Sequence, residues 1–236
     1  MASQSMTSNN SIPSFMSLQS PDLKLMNENI ELSITSLKDK YVSIIPFAFN
    51  DSECAELIDF SENIGYNDAL VNLGFGHKET MNEFRNHKKL SIDNKIMSKY
   101  IFDRIKSLIP NEFNNRKLID INERLRFLKY STNEYFNAHY DGMYMRENGE
   151  RSLITIMIYL NDNFNGGQFT FLHPTKQNIK HSIKPQKGMI LLFEQNELFH
   201  QGDIVLNNNG GYKYCIRSDI MYSKDYINNN NNNNNN

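Results

Sequence analysis

The sequence predicts a mainly β, α+β fold: an antiparallel sandwich or barrel with N-terminal helices packed outside it. Three observations predict it. Before about residue 110, apolar residues recur at helical spacing. From Arg124 onward the period falls to two. Turn signals then separate the period-two segments: Asn148-Gly149, Asn165-Gly166-Gly167, Pro185 and Asn207–Gly211.

The chain has 236 residues, 39% hydrophobic and 11% aromatic. That is enough for one packed domain. Residues 1–20 are Ser, Asn, Gln and Met with scattered apolar residues, and read as a disordered arm. Residues 21–120 supply a strand and helices that support the core. Tyr41–Pro46 reads as a short strand. A helix opens at Asp51, its N-cap candidate, with Cys54, Leu57, Ile58 and Phe60 as the apolar stripe. A second helix is expected over Ser91–Leu108, where Ile92, Ile96, Tyr100, Ile101, Ile105 and Leu108 recur and Pro110 lies just beyond. Residues 121–227 form the β core. Its expected strands are Arg124–Tyr130, Leu153–Leu160, Gln168–Leu172, Gly188–Phe193 and Tyr212–Tyr222. Residues 228–236 are pure Asn, a tail with no assigned function, and no internal repeat is visible.

A net charge of −2 gives no reason to expect nucleic acid or membrane as partner. No apolar run approaches the roughly 20 residues that cross a bilayer, and no basic-then-apolar leader opens the sequence. Two cysteines, Cys54 and Cys215, make neither a disulfide framework nor a zinc motif. A reducing, cytoplasmic setting is the expectation.

His139-x-Asp141 lies just beyond a strand-like segment. Residues two apart on an extended backbone point to one face, so both could meet at a common point. His200 follows the apolar segment Met189–Phe193 and could complete the set from across the sheet. Two imidazoles and one carboxylate on one face of a metal leave positions open for a bidentate keto acid and dioxygen, as in non-haem Fe(II) oxygenases. Taken alone, His-x-Asp is common, and most single histidines are surface or satisfied core residues. A dicarboxylate co-substrate also needs a cation at its far end. Lys213, Cys215, Arg217 and Asp219 alternate onto one face of the last strand. Residue pattern alone leaves two readings level: a charged interior that serves a ligand, or a solvated face with an Arg217–Asp219 surface pair. Tyr130 and Tyr159 could hydrogen-bond a carboxylate, though pattern alone favours core aromatics.

In order and spacing, these segments resemble the prolyl-4-hydroxylase-like branch of the 2-oxoglutarate/Fe(II) dioxygenases, from about Tyr41 to Tyr222. The matching stretches are 122–130, Phe136-Asn-Ala-His-Tyr-Asp-Gly142, Tyr159-Leu-Asn161 with Phe164-Asn-Gly-Gly167, 185–193, His200-Gln-Gly202 and 213–222. The resemblance implies a double-stranded β-helix (jelly roll) with packed helices. It implies Fe(II) on His139, Asp141 and His200, and 2-oxoglutarate as co-substrate with ascorbate as reductant. Lys213 matches the residue that grips the distal carboxylate, and Tyr130 and Tyr159 match tyrosines lining that pocket. Two departures stand out. Asn207–Asn209 lengthen the usual spacing before the basic residue, which keeps Arg217 as a reserve anchor, and Gln201 stands where Glu is common. Arg85 and Arg126 are candidates to meet substrate, and Met143–Glu150 to form a lid. The expected activity is hydroxylation of a C–H bond in a protein, prolyl residues included, or in a small molecule. The alternative is a catalytically inactive jelly-roll or cupin-like binding module, which metal analysis would separate. A third reading makes the Asn-rich ends a protein-interaction device.

Overall fold

The computed structural model describes residues 12–17, 24–69, 71–72, 78–79, 86–206 and 211–226. The poly-Asn tail, Asn207–Asn209, Arg85 and most of the 1–20 segment lie outside that set. Within that segment, residues 12–17 carry a 3-10 turn over Ser14–Ser17. Met16 is buried there, and the Phe15 ring meets Tyr100 edge-on at 5.5 Å.

Strand β1 (Val42–Ile45) leads into α1 (Asp51–Ile64). The cap is Asn50 rather than the expected Asp51. Asn50 Oδ1 accepts from the Glu53 N–H at 3.0 Å, and the Glu53 carboxylate accepts from the Asn50 N–H at 2.8 Å. This capping box satisfies two donors the helix leaves unpaired. Asp51 becomes a first-turn acid, favourable against the helix dipole. The helix expected over 91–108 is shorter than its periodicity suggested. Lys88–Asp93 is strand β2, Asn94 caps α2 (Lys95–Ile105), and Lys106–Leu108 tightens to 3-10. Ile92 lies on the strand, and Ile96 is 59% exposed, outside the buried stripe. The cap residue Asn94, which accepts from the Ile96 and Met97 N–H groups, is the stop that periodicity missed. Arg104 then locks the two helices together. Its guanidinium bonds the Glu53 carboxylate, the Ala48 carbonyl at 2.8 Å and the Tyr100 hydroxyl at 2.6 Å, all buried.

Nine strands of three or more residues follow: β3 (Arg116–Ile121), β4 (Arg124–Tyr130), β5 (Phe136–His139), β6 (Arg151–Tyr159), β7 (Phe169–Leu172), β8 (Lys180–Ile183), β9 (Ile190–Glu194), β10 (His200–Gly202) and β11 (Lys213–Tyr222). The five expected strands sit within one or two residues of these bounds. Strands β2, β3, β5, β8 and β10 were not anticipated; short or half-exposed, they carry no clean alternation. The larger sheet holds β1, β9, β6, β11, β4 and β2 in that order, and the smaller holds β5, β10, β7 and β8. Every pairing is antiparallel. From β4 to β11 the chain passes repeatedly between the two sheets. That winding makes them a double-stranded β-helix.

Two cores result. One fills the space between the sheets, with Leu128, Tyr159, Phe171 and Phe193 among its members. The other joins the larger sheet to the helices through Phe127, Ile156, Ile216 and Ile220 against Leu57, Met97 and Ile101. Each such side chain contributes roughly 1.5–3 kcal/mol by leaving water. β11 belongs to both cores: Ile216 and Ile220 face the helices, while Cys215 faces between the sheets. A strand buried on both faces must pair every polar group it carries. One turn also demands glycine. Gly188 has φ +76°, and a Cβ there would lie 1.9 Å from the Phe49 carbonyl oxygen.

Candidate active site

The ladder between β5 and β10 sets His139 directly opposite His200. Their rings lie 4.4 Å apart between centroids. Each imidazole is fixed through Nδ1, which contacts the Asn137 carbonyl in His139 (2.7 Å) and the Leu198 carbonyl in His200 (2.8 Å). A carbonyl there accepts from Nδ1–H, leaving the Nε2 lone pair to face inward. Asp141 arrives just past β5. Its Oδ1 lies 3.7 Å from His139 Nε2 and its Oδ2 lies 3.8 Å from His200 Nε2. Among the described residues these three form a set whose ligand atoms all lie within 4.8 Å of one another. Two imidazoles and one carboxylate at that spacing fit a divalent iron ion.

Aromatic rings wall the site. Phe136 stacks on His139 at 3.8 Å, and Phe169 stacks on His200 at 5.0 Å. Burial pushes the His200 imidazole down to about 4, so it is neutral and ligand-ready at ordinary pH. Burial alone would raise Asp141, but the Arg217 guanidinium, followed by His139 and His200, holds its carboxyl well below the usual range.

The level choice on β11 resolves inward: Lys213 and Asp219 are buried, as is Cys215 between them. The face lines a cavity shared by Tyr130, His139, Asp141, His200, Lys213 and Arg217, with Leu128, Phe136, Met157 and Phe169 as its apolar wall. Arg217 stands at the His–Asp–His end. Its Nη2 lies 2.9 Å from Asp141 Oδ1 and 3.3 Å from Asp219 Oδ1, and Nε donates to Asp141 Oδ2 at 3.3 Å. Lys213 stands four residues along the same strand, about 13 Å away at the ordinary rise. Its Nζ donates to the Gly167 carbonyl at 2.6 Å. Among the described residues no carboxylate forms an ion pair with it, and burial pulls its pKa down. The ring centroids of Tyr130 and Tyr159 lie 5.1 and 5.8 Å from that ammonium. The Tyr159 hydroxyl is buried with no hydrogen-bond partner. An unpaired buried cation beside an orphaned hydroxyl fits an anionic ligand group.

Sequence reasoning missed the groups behind the candidate ligands. Thr155 Oγ1 donates to Asp141 Oδ2 at 2.8 Å, and Gln195 Nε2 donates to Thr155 Oγ1 at 3.1 Å and Asp219 Oδ1 at 2.9 Å. Thr155 could have been found, since it shares a strand face with Tyr159; Gln195 carries no such signal. The Met143–Glu150 loop is pinned by Arg146, which bonds Asp120, Glu123 and Glu150.

A nonpolar cavity with two imidazoles and a carboxylate at one end and a lone cation at the other defines a keto-acid-dependent iron oxygenase site. Comparison with known proteins agrees. Residues 125–218 match the family described as the 2OG-Fe(II) oxygenase superfamily. A protein of Acanthamoeba polyphaga mimivirus named "Putative prolyl 4-hydroxylase" is 26% identical over 191 residues, spanning 75% of this chain and 69% of that protein. Among solved structures, a prolyl hydroxylase of Trichoplax adhaerens, in complex with a hypoxia inducible factor oxygen degradation domain peptide fragment, is 19% identical. The match covers 79% of this chain and 86% of that one, at a TM-score of 0.60. The viral collagen prolyl hydroxylase of Paramecium Bursaria Chlorella virus-1, in its 2OG complex, is 20% identical, covering 78% and 98%, at 0.52. These likenesses establish the jelly-roll fold. Among the described residues, no helix is long and apolar enough to cross a membrane.

Proposed function

We propose that the chain hydroxylates a C–H bond of a polypeptide, prolyl residues first among the candidates, or of a small molecule. In this reading His139, Asp141 and His200 hold Fe(II), and Lys213 with Tyr130 and Tyr159 holds the distal carboxylate of 2-oxoglutarate. The prolyl hydroxylases among the similar proteins support that choice of substrate. The observation that carries the reading is the pair of ends on one cavity: the His–Asp–His set and, along β11, a buried Lys213 without an acid. Arg217 is committed to Asp141 and Asp219, so Lys213 is the better distal anchor.

When bound, iron and 2-oxoglutarate supply the oxidising chemistry: one dioxygen, one keto acid and one C–H bond give succinate, carbon dioxide and an alcohol. The chain supplies the rest. The Nδ1 bonds of both histidines hold their rings with Nε2 turned inward. Thr155 and Arg217 hold the Asp141 carboxylate in one orientation. The Phe136, Phe169 and Phe193 rings keep water from the histidines.

The test is succinate formation with Fe(II), ascorbate and 2-oxoglutarate, with Pro-containing peptides and free amino acids as substrates. Lys213→Ala is expected to raise the KM for 2-oxoglutarate roughly 10- to 100-fold, the worth of a charge-assisted hydrogen bond. Lys213→Arg should recover part of it. An unchanged KM in Lys213→Ala would exclude Lys213 as the anchor.

A further inference from the structure

Arg126 and Arg217 sit directly opposite each other on β4 and β11. Like charges at such a cross-strand pair repel and destabilise a sheet. Here they are also largely buried, with side chains 23% and 16% exposed. Asp219 lies between them: Arg126 Nη1 contacts its Oδ2 at 3.1 Å, and Arg217 Nη2 its Oδ1 at 3.3 Å. That carboxylate is saturated, because Asn122 Nδ2 and Gln195 Nε2 also donate to it, at 3.1 and 2.9 Å. Other nearby acids are occupied. Asp93 is paired with Arg124 at 2.7 Å, and Asp120, Glu123 and Glu150 all bond Arg146.

The charge can be counted. Arg126 and Arg217 balance Asp141 and Asp219 when nothing is bound. A divalent cation on Asp141 adds two positive charges. The chelating carboxylate of the keto acid removes one, and its distal carboxylate is matched by Lys213. A net positive charge of about one is left, in a mostly buried setting where unbalanced charge is costly. Resting on the oxygenase reading above, we infer that Arg126, with Arg217, is a specificity-determining residue. The pair selects a substrate that carries a carboxylate close to the carbon to be hydroxylated. The carboxylate can belong to a free amino acid or to an acidic residue of a polypeptide. Arg126 is the residue to vary, since Arg217 also holds Asp141.

The anaerobic Fe(II)–2-oxoglutarate holoenzyme is titrated with two matched pairs of probes. One pair is L-proline and L-prolinamide. The other is acetyl-Pro-Glu-Gly-amide and acetyl-Pro-Gln-Gly-amide. In one pair the acid should bind roughly tenfold tighter than its neutral partner or better, and which pair does so identifies the source. Arg126→Gln should shrink the preference to within about twofold, and Arg126→Lys should keep most of it. Equal affinity within both pairs, no binding by either acid, or a preference that survives Arg126→Gln overturns the inference. Succinate release separates the two levels. A wild type that never consumes 2-oxoglutarate sinks the oxygenase reading itself, whereas consumption without an acid preference sinks only this selection.

Discussion

Asp141→Ala is expected to lower 2-oxoglutarate-dependent succinate formation by more than roughly 100-fold, since disturbing even the groups behind metal ligands costs 10- to 100-fold. The carboxylate is the one anionic group in the set, and both of its oxygens face imidazole Nε2 atoms less than 4 Å away. Bound iron should fall with activity, from about one per chain toward none. A fold-level cost accompanies the loss, because Arg217 would keep only Asp219 as a charged partner. Metal content and turnover must therefore be read on protein whose melting curve shows it folded. A folded Asp141→Ala variant that binds iron and turns over like wild type would remove the assignment.

Arg104→Met is expected to give the largest loss of stability away from the cavity. The guanidinium is completely buried, and its partner Glu53 is 7% exposed. Removing one partner of a buried pair costs roughly 3–5 kcal/mol, equivalent to a fall in Tm of about 6–20 °C at this chain length. The effect should depend on pH in a defined direction. Burial opposes the Glu53 charge, but Arg104 and the Asn50 N–H outweigh it and hold the carboxyl below its ordinary value. A lowered folded pKa means stability that is fully present above the unfolded value and lost as pH falls through the folded one. Without Arg104 that contribution disappears, so the Tm gap between wild type and variant should be wide at pH 7 and narrower near pH 3. Scans at both values check it. A gap that is constant or widens in acid would refute this account of the pair. Arg104→Met combined with Glu53→Leu should be less harmful than Arg104→Met alone, since no charge is then left stranded.

Much of the β core was legible because β4, β6 and β11 carry long period-two patterns. The helical layer was less so. Periodicity could not tell Ile92, on a strand, from Ile96, on a helix, since both are apolar and four apart; only the capping chemistry of Asn94 divides them. Strands such as Phe136–His139 and Lys180–Ile183 are too short and too exposed to show a pattern, yet one of them carries His139. Of the candidate site, His139, Asp141, His200 and Lys213 stood out in the sequence only through their ordered spacing. Whether the charged face of β11 turned in or out was undecidable from alternation, because β11 is buried on both sides and leaves neither face to solvent. Thr155 and Gln195 act through Asp141 and Asp219, contacts that exist only after the sheets close.

That doubly buried strand also decides how damage spreads. β11 cannot loosen toward the helices without also releasing Lys213 and Arg217 from the cavity between the sheets. The two cores thus share one cooperative unit. A lesion in the helical layer, such as the loss of Arg104, would reach the chemistry as fewer intact molecules rather than as a distorted site. The molecules that remain folded would work at full rate, so activity per folded chain, and not total activity, distinguishes a structural variant from a catalytic one.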